Sequence, residues 1–238
     1  MEEIKQERYS GIKDHEIMAA HEPHLACVLL LDTSDSMNYG IDGRRPIDLL
    51  NEALREFKDK VCRNEITKRR VDICVISFNS NVEIINEFTP LAKYEPVDMT
   101  ASGCTEMGAA IEIAINAAKQ RDWEYLKEGT RYFTPWVIMI TDGLPTDSIE
   151  RAKELIRTEE SKGRYGHLKF WALGTPGYDK DTLKSLGTKR VLELLDTDYS
   201  KFFDWLRESM DIQSISKVGE EIEYPMLPDN ARTVPKGW

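Results

Sequence analysis

The sequence predicts an α/β fold: a doubly wound, mostly parallel six-stranded sheet with one antiparallel edge strand and helices on both faces. Three observations carry this. Leu25-Ala26-Cys27-Val28-Leu29-Leu30-Leu31 is apolar at every position, as a strand buried on both faces requires. β-rich runs alternate with stretches of helical periodicity, the pattern of a sheet covered by helices. The runs at 71–78 and 82–88 are separated only by Asn79-Ser80-Asn81. That is too short for a crossover, so the pair must be an antiparallel hairpin.

The elements follow in order. The first strand ends in Asp32, and a polar loop with Gly40, Gly43 and Pro46 leads to a helix whose inner face is Leu50, Leu54, Phe57 and Val61. That spacing is one face of a 3.6-residue period, and Pro46 suits the first turn. After the hairpin, a helix is expected over 105–119, with Met107, Ile111, Ala114, Ile115 and Ala118 facing in. A strand at 136–141 runs into Asp142-Gly143. The next helix carries Ile149, Ala152, Leu155 and Ile156, and Asp147 with Glu150 three residues on has the form of a capping box. Strands at 169–173 and 191–195 flank a short helix at 181–186. A last helix over 199–212 has Phe202, Phe203, Leu206 and Met210 as its inner stripe. Residues 1–24 read as an N-terminal extension, 25–216 as the domain, and 217–238, with Pro225, Pro228 and Pro235, as a C-terminal tail.

The 238 residues suffice for a substantial core without disulfide or metal staples. The net charge of −10 repels phosphate backbones, so general nucleic-acid binding is not expected. No apolar run reaches the ~20 residues that span a bilayer, and the polar, acidic start MEEIKQERYS lacks the features of a signal peptide. The expected compartment is the cytoplasm, with no membrane partner. Cys27 and Cys74 sit in buried strand runs and read as reduced structural thiols. His21-Glu22-Pro23-His24 has a metal-like composition, but two His on a Pro-broken segment share no helix face.

Open α/β sheets bind ligands beyond the carboxyl ends of their strands. Asp32, Ser34 and Ser36 follow the first strand, Asp142 follows the fourth, and Thr105 opens the helix before it. Two carboxylates and three hydroxyls thus converge on one edge. All are hard oxygen donors, a set suited to Mg²⁺ or Mn²⁺ rather than Zn²⁺ or copper. Met37, Tyr39 and Leu144 lie on the flanking loops and are expected to offer apolar contacts to a partner.

Asp32-x-Ser34-x-Ser36, Thr105 and Asp142 resemble, in order and setting, the metal-ion-dependent adhesion site of von Willebrand factor A domains. The resemblance covers roughly residues 25–212. Thr100-Ala101-Ser102-Gly103, Gly108-Ala109-Ala110-Ile111 and above all Thr141-Asp142-Gly143-Leu144-Pro145-Thr146-Asp147 are similar to the bacterial tellurium-resistance proteins of this family, the TerY type. Two positions depart from that pattern. Asp35 stands where glycine is usual, and either strengthens cation binding or repels an acidic partner; Cys104 also replaces a glycine. The resemblance implies that the hydroxyls coordinate the cation, that the Asp side chains do so directly or through water, and that a partner's Asp or Glu fills the vacant position. It also implies a setting in chemical-stress resistance, with a protein kinase or PP2C-type phosphatase as partner. The alternative is a metal-dependent phosphohydrolase of the haloacid-dehalogenase type with Asp32 as nucleophile. That chemistry needs a second Asp where Ser34 stands, and no phosphate-binding loop, nucleophile elbow or kinase signature is present. A non-enzymatic interaction module is the expectation.

Overall fold

The structure, a computed structural model, describes residues 22–40, 43–162 and 167–235. Strand β1 (Leu25–Asp32) is central, as its unbroken apolar run requires, and every residue in it is buried. Its side chains alternate between two cores. Leu25, Cys27, Leu29 and Leu31 face one side, and Val28 and Leu30 the other. Helix α1 (Pro46–Val61), with Pro46 in its first turn, and the single turn α2 (Thr67–Arg70) lead to β2 (Val71–Phe78) and β3 (Val82–Pro90). Then come α3 (Met107–Lys127), β4 (Trp136–Thr141), α4 (Glu150–Ser161), β5 (Lys169–Gly174), α5 (Lys180–Ser185), β6 (Arg190–Leu194), α6 (Tyr199–Ile215) and β7 (Ala231–Thr233).

The sheet order is β3-β2-β1-β4-β5-β6-β7. β2, β1, β4, β5 and β6 are parallel, and β3 pairs antiparallel with β2 as the short Asn79–Asn81 link demands. Helices α1 and α6 cover one face, where Phe57 and Phe203 meet at 5.4 Å between ring centroids. Residues of α3, α4 and α5 cover the other. No helix among the described residues is long and apolar enough to cross a membrane.

The strand count is corrected. The sheet has seven strands rather than six, and both edges are antiparallel, because β7 pairs with β6. Three residues without a strong apolar alternation are invisible as a strand until a partner edge is present. The segment read as a tail is therefore partly built into the domain. Its Tyr224 packs edge-on to Trp136 and Trp171 at 5.9 and 5.7 Å, and Pro225 O accepts a hydrogen bond from Trp205 Nε1 at 3.0 Å. Helix α3 starts two residues later than expected and runs eight further, to Lys127. The Asp147–Glu150 capping box is absent: Asp147 caps a different helix, α3, through Gly108 N and Ala109 N at 2.9 and 2.8 Å. The N-terminal extension before Glu22, including His21, lies outside the described residues, as does Trp238. His24 holds Asp72 rather than a metal, with Nδ1 3.3 Å from its carboxylate.

Candidate metal centre

β1 is flanked by β2 on one side and β4 on the other, with the chain reversing direction of travel across the sheet between β1 and β4. Such a switch point opens a crevice at the carboxyl ends of the strands. Leu31 pairs with Ile140, so Asp32 and Thr141 end their strands at the same height and the residues after them leave the sheet together.

The expected ligands meet there. Asp32 is fully buried; its Oδ1 accepts from Ser34 N at 2.8 Å and its Oδ2 from Thr141 Oγ1 at 2.5 Å. Ser34 Oγ and Ser36 Oγ are 3.0 Å apart, and Ser36 donates to Asp142 Oδ1 at 2.7 Å. Thr105 is buried against Gly143: a Cβ at that glycine would lie 3.2 Å from Thr105 Oγ1 and 3.5 Å from Asp32 Oδ2. The threonine hydroxyl and the aspartate thus border the same small space, kept open by the missing side chain.

The loops that carry these groups are cross-linked. Asp35 N donates to Gly103 O at 3.0 Å, Ser102 N to Thr33 O at 2.9 Å, and Thr146 N to Thr105 O at 2.9 Å. Gly103 has a φ of +77°, and a Cβ there would stand 2.4 Å from Ser80 Oγ. Both conditions require glycine.

Two carboxylates share this partly buried space, with no basic partner among the described residues. Burial pushes the Asp32 carboxyl up to about 6, against the hydrogen bonds from Ser34 and Thr141 that pull it down, and the nearby Asp142 charge adds to the rise. Burial also raises Asp142, opposed by the Ser36 hydrogen bond. Charge held at such a cost is what a cation relieves. Among the described residues no group of three His, Cys, Asp or Glu side chains forms a metal site. Any cation here therefore relies on the three hydroxyls as well as the two carboxylates.

Asp35 is exposed and turned to its own loop. It accepts from Asn38 Nδ2 at 3.1 Å and from Tyr39 Oη at 3.2 Å. Tyr39 and Leu144 stand 72% and 59% exposed beside the site, where a partner can reach them. Met37 does not. It is fully buried in the core under the short helical turn Asp35–Asn38, so its expected contact role is withdrawn. An apolar residue in a turn serves as readily as a peg into the core as an exposed contact, and sequence does not distinguish the two.

Two contributors were not assigned from sequence. Thr141 anchors Asp32 and also accepts from Gly143 N at 3.2 Å; its place beside Asp142 was the available signal. Tyr199, at the start of α6, lies buried beneath the site. Burial, and further the charges of Asp142 and Asp32, push its phenol up. Nothing in the sequence ties it to residues more than fifty positions away. Cys104 is exposed and free.

The family model described as von Willebrand factor type A domain matches residues 27–144, a span containing all five oxygen donors. The eIF-2-alpha kinase GCN2 of Schizosaccharomyces pombe is 23% identical over 149 residues, 62% of this chain but only 9% of that protein. Among solved structures, the PilB minor pilin from Streptococcus sanguinis is 12% identical with a TM-score of 0.56, covering 81% of this chain and 62% of that one. Proximal thread matrix protein 1 from the mussel byssus, with a zinc-occupied MIDAS motif, is 18% identical with a TM-score of 0.50, covering 80% and 48%. These structural likenesses concern the fold. The family match itself covers residues 27–144, just under half of the chain.

Proposed function

We propose that this chain carries a von Willebrand factor A domain that acts as a metal-ion-dependent protein-interaction module. Asp32, Ser34, Ser36, Thr105 and Asp142 would hold Mg²⁺ or Mn²⁺, and a partner protein would add an Asp or Glu carboxylate. The observation that carries this reading is the cluster itself: five side-chain oxygen donors at one sheet edge, two of them carboxylates whose ionisation burial opposes. The residues fit such an ion. An all-oxygen set favours Mg²⁺ or Mn²⁺, and the zinc-occupied motif of the mussel protein supports a divalent ion in a site of this kind. A bound divalent cation supplies an electron-poor centre open to an external carboxylate.

The chain's own groups do the rest. Thr141 and the Ser34 amide orient Asp32, while Ser36 orients Asp142. The exposed Tyr39 and Leu144 form the apolar rim on which a partner loop settles. The reading is non-enzymatic. A phosphohydrolase using Asp32 would need an acid–base group at position 34, where a serine hydroxyl stands 3.0 Å from Ser36 Oγ. Bacterial tellurium or chemical-stress resistance, with a protein kinase or PP2C-type phosphatase as partner, is the setting that the Thr141–Asp147 motif suggests.

The test is capture of partners from lysate of the source cells on the immobilised protein, in Mg²⁺ and in EDTA, beside calorimetric titration with Mg²⁺. Binding of Mg²⁺ that Asp142→Ala removes, and partners retained only with the ion, are expected. No heat on Mg²⁺ addition, or capture indifferent to EDTA, overturns the reading.

A further inference from the structure

The amino-terminal ends of β4, β5 and β6 lie at the sheet edge opposite Asp32 and Asp142, and a cavity of about 950 Å³ opens there. Its wall takes Asp122 from α3, Phe133 and Pro135 from the segment before β4, Leu168 and Lys169 from the start of β5, and Arg190 from the start of β6. We infer that this cavity binds a small organic anion, its charged group held by Lys169 and Arg190 and its apolar body by Phe133, Pro135 and Leu168.

The volume is at the upper end of the range for small-molecule sites. The electrostatics favour an anion because Lys169, among the described residues, has no carboxylate partner. Arg190 is ion-paired, its Nη1 donating to Glu160 Oε1 at 2.7 Å, and that carboxylate is shared among further donors. Phe170 N and Thr188 Oγ1 also donate to Oε1, and Lys189 N donates to Oε2. The hydrogen-bond partner of Lys169 is neutral: Nζ donates to Tyr224 Oη at 2.7 Å. Among the described residues Lys169 makes no ion pair. Burial, and then the like charge of Arg190, hold its ammonium down to about 8, with Glu221 opposing them. An anion set between the two cations removes that repulsion.

Asp122 looks at first like an obstacle. Its Oδ1 has no hydrogen-bond partner, and burial alone pushes the carboxyl up to about 8. The shift favours the neutral acid, which lessens its repulsion of an anion. Glu220 and Glu221 also border the cavity but are exposed to solvent, which screens them. Lys189 and Arg131 add positive charge there, against a net charge of −10 for the chain.

The experiment is equilibrium binding of three probes of one ring size, benzoate, benzyl alcohol and benzylamine, to the full chain at pH 7. EDTA is present throughout, so that no carboxylate can be held by a metal at the other edge and failure here is separate from failure of the proposed function. Benzoate should bind at least about tenfold more tightly than benzyl alcohol, and benzylamine most weakly. Lys169→Met should weaken benzoate about tenfold, and the exposed Lys189→Gln about two- to threefold, with circular dichroism checking the fold of each. If Lys169→Met does not fold, the three-probe series and Lys189→Gln decide. No saturable benzoate binding, benzoate no tighter than the alcohol, benzylamine the tightest of the three, or affinity unchanged in every folded variant overturns the inference.

Discussion

Asp32 and Asp142 carry opposite demands. Each is a proposed cation ligand, yet burial opposes the charge of both, and Asp142 adds to the rise at Asp32. Asp142→Ala should therefore abolish Mg²⁺ binding in calorimetry while changing the metal-free unfolding free energy by less than about 1 kcal/mol, since relieved repulsion offsets the lost Ser36 hydrogen bond. A large fall in the melting temperature in EDTA would assign the pair to the fold instead. Tyr39 distinguishes the proposed partner rim from the proposed metal site. It is mostly exposed, and among the described residues its side chain bonds only to Asp35. Tyr39→Ala should weaken the captured partner by about 1–2 kcal/mol and leave Mg²⁺ affinity and stability nearly unchanged, as for a contributing interface aromatic.

Helix α3 is placed by a neighbour. Its first turn has no side-chain cap of its own, and Asp147, from the loop after β4, accepts from Gly108 N and Ala109 N. A carboxylate there satisfies two free amides and meets the positive end of the helix dipole. The contact also fixes Thr105, two residues before the helix, because Thr105 and Thr146 are joined by two hydrogen bonds. Asp147→Ala should cost about 1–2 kcal/mol in urea unfolding and weaken Mg²⁺ binding without removing any ligand. Gly108 allows the approach: a Cβ would stand 2.2 Å from Ser148 O. Gly108→Ala should destabilise by about 1–3 kcal/mol in the same assay, the range of overpacking in a tight contact.

At the scale of the molecule, the segment after α6 closes the far side of the sheet. β7 covers the β6 edge, and Tyr224 sits among Trp136, Trp171 and Trp205. Tyr224→Ala should lower stability by about 2 kcal/mol, less than a fully buried aromatic because Tyr224 is half-buried. Asp122 sets a pH dependence. Its folded carboxyl, held up to about 8, keeps a proton that the unfolded chain releases near 4. Its stabilising contribution is complete below about pH 4 and is lost as pH rises towards 8. Urea unfolding at pH 5 and pH 8 should show the wild type losing stability across that interval and Asp122→Asn losing less. Equal losses in the two proteins would show that Asp122 does not titrate there.

The sequence by itself determined the strand–helix alternation, the central place of the all-apolar β1, the antiparallel β2–β3 pair, and the meeting of Asp32, Ser34, Ser36, Thr105 and Asp142. These follow from local rules: a residue period, a link too short to cross over, and polar side chains placed just after buried strands. Tertiary structure alone decided the rest. It buried Met37, gave Asp147 to α3, brought Tyr199 beneath the site, and recruited Ala231–Thr233 as a seventh strand. It also put Asp122, whose Oδ1 has no hydrogen-bond partner among the described residues, in the wall of the same cavity as Lys169 and Arg190 at the opposite edge. Each of these depends on groups far apart in the chain, and a local pattern specifies which way a side chain faces but not what it meets there.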